Sequence, residues 1–114
     1  MDTITLFRET AAVLRAARAK IENPDAWTRG AFARNQDGLL RDAQDSDACA
    51  WCAMGAVRAV SSGRGDQVRD HALRMLHCAA VQLDDSGIAS FNDTRTHADV
   101  LKMFNLAIQL GEAA

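Results

Sequence analysis

The chain has 114 residues and a formal charge of −2, with 48% hydrophobic and 25% charged side chains, no tyrosine and a single proline. A domain of that length buries roughly two thirds of the surface its unfolded chain exposes, so neither a metal nor disulfides are required to hold it together. The small net charge excludes a global field that would gather polyanions, and the eleven arginines (against Lys20 and Lys102) alternate with Asp and Glu as on solvated helix faces.

No apolar run approaches the ~18 residues of a membrane span, and the first residues lack the order of a secretion signal, so cytoplasmic residence is expected. Three cysteines, an odd number without such a signal, then read as reduced thiols.

Residues 3–22 place Ile4, Phe7, Ala11, Leu14 and Ile21 at helical spacing, with Arg8, Arg15 and Glu22 on another face. This predicts an amphipathic helix capped by Asp2 or Thr3 and stopped before the Asn-Pro-Asp at 23–25. Residues 24–45 are the least regular stretch. An Asp37-Gly38 pair flanked by Phe32 and Leu39-Leu40 suits a short hairpin over 31–40; an ordered loop pinned by Trp27 and Phe32 fits equally.

Next, "SDACAWCAMGAVRAV" reads as a helix capped by Ser46 or Asp47 and running to about Val60. From Ala48 onward only Gly55 and Arg58 are not hydrophobic, so it is expected at the centre of the fold. "SSGRG" at 61–65 ends it. A helix over 66–83, with Asp66 as its cap, carries Val68, Ala72, Met75, Leu76, Ala79 and Leu83 toward the core. Asp70, Arg74 and His77 fall on its outer face. "DDSG" breaks the chain at 84–87. Thr96 and Asp99 form a variant capping box, opening a last helix through about Leu110 with Leu101, Phe104, Ala107 and Ile108 inward. The expectation is one all-α domain over 1–114, a compact four-helix bundle-like fold with one irregular segment.

The chemistry-bearing residues concentrate at Cys49-x-x-Cys52 and at "FNDTRTH", 91–97. On a helix the two cysteines would lie about 60° apart and face one side. Structural zinc needs four ligands, and no second CxxC or HxxxH completes a set with Cys78, His71, His77 and His97, so no metal is expected. A redox pair would follow a strand of a βαβ unit, for which there is no pattern. A nucleophilic reading would use Cys52 with His97 as base and Asn92 or Asp93 to orient it. Buried structural thiols are the competing reading.

His97 lies within about 40° of Leu101, Phe104 and Ile108 around its helix, so it should point inward and bond a loop carbonyl. His71 and His77 read as surface residues. Asn92, Asp93 and Thr96 can each be explained as caps and turns, while Arg95 with the free N–H groups of the last helix offers an anion site. No helix gathers the Arg, Lys, Asn and Gln that a nucleic-acid surface requires.

Taken together, Trp27, "ARNQDG" at 33–38, "WCAMGA" at 51–56 and "IASFND…TH" at 88–97 resemble a family of small uncharacterised bacterial and phage proteins. That family shares a Trp-Cys-Ala-x-Gly-Ala segment and an aromatic-Asn-Asp turn. The resemblance runs from about Trp27 to Ile108. It departs at Asn35, where Asp is expected after Ala-Arg, and at Phe91, where Trp is frequent. It implies an all-α fold in a bacterial or prophage setting and carries no activity with it.

The expected function is a non-enzymatic binding or regulatory module acting on a protein partner or small ligand, without a cofactor. The alternative is a small hydrolase or transferase built on Cys52, His97 and Asn92 or Asp93. Trp51 and Cys52 are expected to pack on the 91–97 turn, with Trp27 and Arg34 as further walls of any pocket there. The alanine-rich first or last helix offers a surface for a homodimer.

Overall fold

The computed structural model describes residues 1–112, so the last two residues of the expected domain lie outside it. Helix α1 spans Thr3–Lys20, α2 Ala53–Val60, α3 Asp66–Asp84, α4 Ile88–Thr94 and α5 His97–Glu112. Between α1 and α2 come a 3-10 turn, Pro24–Ala26, and three two-residue strands: β1 (Ala33–Arg34), β2 (Leu40–Arg41) and β3 (Ala50–Trp51). The fold is mostly helical with a small antiparallel sheet, in the order β2-β1-β3.

The three long helices form where periodicity predicts them. Asp2 caps α1 by accepting the Thr5 N–H at 2.8 Å, and Thr96 caps α5 by accepting the Asp99 N–H at 3.1 Å. Their apolar faces meet in one core. α3 lies along α5, and α1 packs on α5, α2 and α3, burying Leu14, Ile21, Val57, Val68, Leu76, Met103 and Phe104 completely. Burying a side chain of this size contributes about 1.5–3 kcal/mol, which makes this contact set the main source of stability. Ile4 and Leu83, expected inside, are instead 66% and 44% exposed, because each sits at the far end of its helix, beyond the neighbours that cover the rest of the stripe.

The hairpin forms, with Ala33 opposite Arg41 and Arg34 opposite Leu40. Gly38 takes φ 80°, and Asn35 accepts the Asp37 and Leu39 N–H groups at 3.0 Å each to close the loop.

The expected helix over 46–60 is corrected: its first half is extended. The Cys49 N–H donates to the Arg34 carbonyl at 2.9 Å and the Cys52 N–H to the Phe32 carbonyl at 3.2 Å, and β3 pairs with β1. A short apolar run has no period to distinguish strand from helix, and here long-range pairing takes the backbone donors first. Cys52, not Ser46 or Asp47, caps α2.

Three further corrections fall between residues 66 and 94. The expected turn at 91–97 is preceded and partly replaced by a helix, α4 over Ile88–Thr94, and Asp66 is the first residue of α3 rather than its cap, which is Gly65. His71, expected at the surface, is half-buried: its Nδ1 bonds Thr10 Oγ1 at 2.8 Å and its ring lies 5.1 Å from that of Phe7. Burial, and secondarily the charge of Arg74, holds its pKa below the ordinary imidazole value.

Candidate functional site

The start of α2 is the meeting point of the sheet, α4 and the loop that follows Trp27. Gly55 makes the approach feasible. A Cβ there would overlap the Phe32 carbonyl oxygen and lie 2.7 Å from its carbon, so only glycine lets the first turn of α2 sit on the β1 backbone. The Cys52 Sγ accepts the Gly55 N–H at 3.3 Å, in the place where a serine hydroxyl usually caps.

Another donor of that turn is satisfied from α4. Asn92, almost wholly buried, accepts the Ala53 N–H at 3.0 Å and the Trp27 indole N–H at 2.8 Å on one Oδ1. Its Nδ2 donates to the Thr28 carbonyl at 3.1 Å and to Asp93 Oδ1 at 3.0 Å. All four of its hydrogen-bonding positions are filled, so Asn92 ties α2, α4 and the Trp27 loop into one corner. Asp93 Oδ1 also receives the Gly30 N–H at 3.1 Å.

Beside this corner opens a cleft of about 330 Å³. Cys52, Asn92 and Asp93 contribute to its floor and rim, and Phe32, Met54 and Ala89 to its apolar walls. Burial pushes the Cys52 thiol up; the Gly55 N–H acts against that rise and the Asp93 charge adds to it. The sulfur is therefore kept as a thiol and engaged as an acceptor, which is the opposite of an activated nucleophile.

Of the residues singled out in the sequence, Cys52, Asn92 and Asp93 are thus brought together, and the others are not at the cleft. His97 donates from Nε2 to the Ile21 carbonyl at 2.7 Å, fastening α5 to the end of α1, and its ring lies 5.5 Å from that of Trp27. Trp51 turns away: its indole N–H donates to the Ala43 carbonyl at 2.9 Å, and the Lys20 ammonium stands 4.1 Å above its ring. Arg34 holds the loop together, donating to Thr28 Oγ1 at 3.1 Å, the Gly38 carbonyl at 3.0 Å and the Arg29 carbonyl at 3.2 Å.

Arg95, read as an anion receptor, is paired with Asp84, its Nε 3.1 Å from Oδ2, which holds the Asp84 carboxyl below the usual range. Thr96 caps α5. Among the described residues no hydrogen bond joins Cys52 to His97, no group of three or more His, Cys, Asp or Glu converges for a metal, and all three cysteines are free.

A family model described as a family of unknown function, DUF6197, matches residues 8–110. The chain belongs to the DUF6197 family. No curated protein and no solved structure matches it. In this DUF6197 member the Trp-Cys-Ala-x-Gly-Ala segment is explained by architecture. Its cysteine caps α2, its first alanine donates to Asn92, and its glycine admits the Phe32 backbone.

Sequence reasoning missed the cleft walls. Phe32 is 45% exposed although it is large and apolar, and it was read as a loop pin. Met54 and Ala89 carry no signal in the sequence, because their shared cleft depends on α4, which the pattern did not reveal. Among the described residues no helix is long and apolar enough to cross a membrane.

Proposed function

We propose that the chain is a non-catalytic binding module whose site is the cleft between the Gly30–Phe32 loop, the first turn of α2 and α4. The observation that carries this reading is the division between floor and walls. The polar atoms of the floor are closed by bonds within the protein, whereas the walls, from Phe32, Met54 and Ala89, are apolar and open. Concave apolar sites with a few fixed polar groups are where ligands bind.

Asp93 stands at the rim, exposed and anionic. An apolar group bearing a cationic head would satisfy both halves of the cleft, whether it belongs to a small ligand or to the side chain of a protein partner. The cysteine-enzyme alternative has less support: Cys52 is held as a capping thiol and the Nε2 of His97 is committed to Ile21. A bacterial or prophage setting rests on the resemblance of the sequence motifs, and a cytoplasmic one on the free thiols.

The test is an amide chemical-shift titration of the full chain with phenethylammonium and, in parallel, with the neutral 2-phenylethanol. Saturable shifts at Gly30, Ala53, Ala89 and Asp93 that are stronger for the cation, and lost in Ala89→Trp, support the reading. Equal behaviour of Ala89→Trp and wild type, or no saturable shift at all, would overturn it.

A further inference from the structure

The Phe32 ring is shared between two hollows. One is the α4 cleft, where it stands with Cys52, Met54, Ala89 and Asp93. The other, of about 440 Å³, is lined by Phe32 with Asp42, Ala43, Gln44, Asp45 and Arg58. Arg58 belongs to the second hollow and not to the first. The backbone that carries the ring is fixed, because the Phe32 carbonyl accepts the Cys52 N–H at 3.2 Å and lies against Gly55. The exposed ring itself is met by the Arg58 guanidinium, whose carbon is 4.8 Å from the ring centre.

That ring is the partner the guanidinium has. Arg58 is half-buried in the last turn of α2, and its enclosed Nε makes no hydrogen bond. Asp42 and Asp45 share its hollow, yet among the described residues no carboxylate pairs with it; the Asp45 side chain accepts the Asp42 N–H at 3.3 Å instead. Gln44 Nε2 donates to the Arg58 carbonyl at 3.0 Å, which ties the same loop to the end of α2. The half-buried Arg18, Arg41 and Arg69, by contrast, all meet carboxylates.

A cation over one face of an aromatic ring is held by the negative π cloud. The same cloud has less to offer a second cation on the opposite face, and the two like charges repel across the ring. The side of Phe32 turned to the α4 cleft is therefore suited to an uncharged apolar group. Asp93, exposed and the one carboxylate that lines this cleft, is left to receive a positive charge.

We infer that Arg58 is a positioning residue for the α4 cleft: acting through the Phe32 ring, it directs the apolar part of a ligand onto that ring and its cationic head to Asp93. The role presupposes that ligands bind in this cleft, as proposed above. It disfavours small cations without an apolar body, such as tetramethylammonium, which aromatic faces otherwise receive.

The experiment is an amide chemical-shift titration of the full chain with phenethylammonium and with tetramethylammonium, on wild type, Arg58→Met and Arg58→Lys. Wild type should prefer phenethylammonium. In Arg58→Met the affinity for tetramethylammonium should rise about threefold or more, with new shifts at Phe32 and Met54, while that for phenethylammonium changes less than about twofold. Arg58→Lys, which keeps a cation on the ring, should behave as wild type. Loss of packing alone creates no binding, so the gain separates this role from a structural one. Should Arg58→Met not fold, wild type still answers. Its Arg58 Hδ protons should lie upfield, shielded by the ring, and return to their ordinary position in Phe32→Leu. The same preference in all three proteins, or Arg58 protons without that shift, would overturn the role and leave the cleft in place. Absence of any saturable shift with phenethylammonium in wild type would overturn the cleft as the site, and the role of Arg58 with it.

Discussion

The two ends of α2 are built on opposite terms. At its start, the Ala53 and Gly55 N–H groups, the Trp27 indole and the whole Asn92 amide have partners, although the bonds reach 39 and 65 positions along the chain. At its end, six residues on from Cys52, the enclosed Arg58 Nε has none. A satisfied buried polar network fixes one arrangement of the elements around it, while an unmatched one lowers stability unless something outside the protein completes it. The start of α2 is therefore read as architecture that shapes an apolar cleft, and the end as a cation laid against the Phe32 ring.

The contrast can be broken most forcefully at Gly55. Gly55→Ala drives a methyl into the Phe32 carbonyl, which is backbone and cannot rotate aside. A loss of about 4 kcal/mol is expected, at the upper end for a single substitution, read as a fall in the urea midpoint. A loss below about 1 kcal/mol would mean that α2 does not sit on β1 as described. Asn92→Ala comes next. It leaves the Trp27 and Ala53 N–H groups buried without acceptors, and about 3 kcal/mol should be lost. Quenching of the Trp27 signal by added iodide should rise with it, because the loop it anchors is released.

These are also the residues on which the sequence was least informative. α1, α3 and α5 were legible because each runs for 16 residues or more with one apolar stripe, and because Asp2 and Thr96 are ordinary caps. The start of α2 was not, since "ACAWCAMGAV" has no period and its cap is a thiol. Neither was α4, which has seven residues and a glycine cap without a side-chain bond. Cys52, Asn92 and Asp93 could be picked out as residue types, but their duties are bonds to Gly55, Trp27, Thr28 and Gly30, which only the folded chain brings near. Arg58 did leave a trace, as the lone charge in an otherwise apolar run.

At Cys52 the expected effects are smaller and separate capping from chemistry. Cys52→Ala removes the acceptor for the Gly55 N–H and should cost about 1 kcal/mol, whereas Cys52→Ser restores an oxygen cap and should stay within about 0.5 kcal/mol of wild type. Burial raises the Cys52 thiol above its ordinary 9.0, so the fold favours the neutral form. That contribution is intact below the unfolded value and is lost as pH rises through 9.0 toward the folded one. Wild-type stability should therefore fall above that pH more steeply than that of Cys52→Ser. Alkylation should reach exposed Cys49 long before Cys52. Fast labelling of Cys52 in the folded protein would revive the nucleophile.

The smallest expected change is at Arg58, and it is the most telling for the comparison. Arg58→Met keeps a long apolar stem over Phe32 and removes a cation that has no acceptor. The lost stacking on Phe32, about 0.5–1 kcal/mol, opposes the relief of burying fewer unmatched donors, which is of similar size. The stability read from the urea midpoint should thus change by about 0.5 kcal/mol or less. If Arg58→Met instead cost as much as Asn92→Ala, the guanidinium would have to be a member of the packed structure, and the two ends of α2 would be alike.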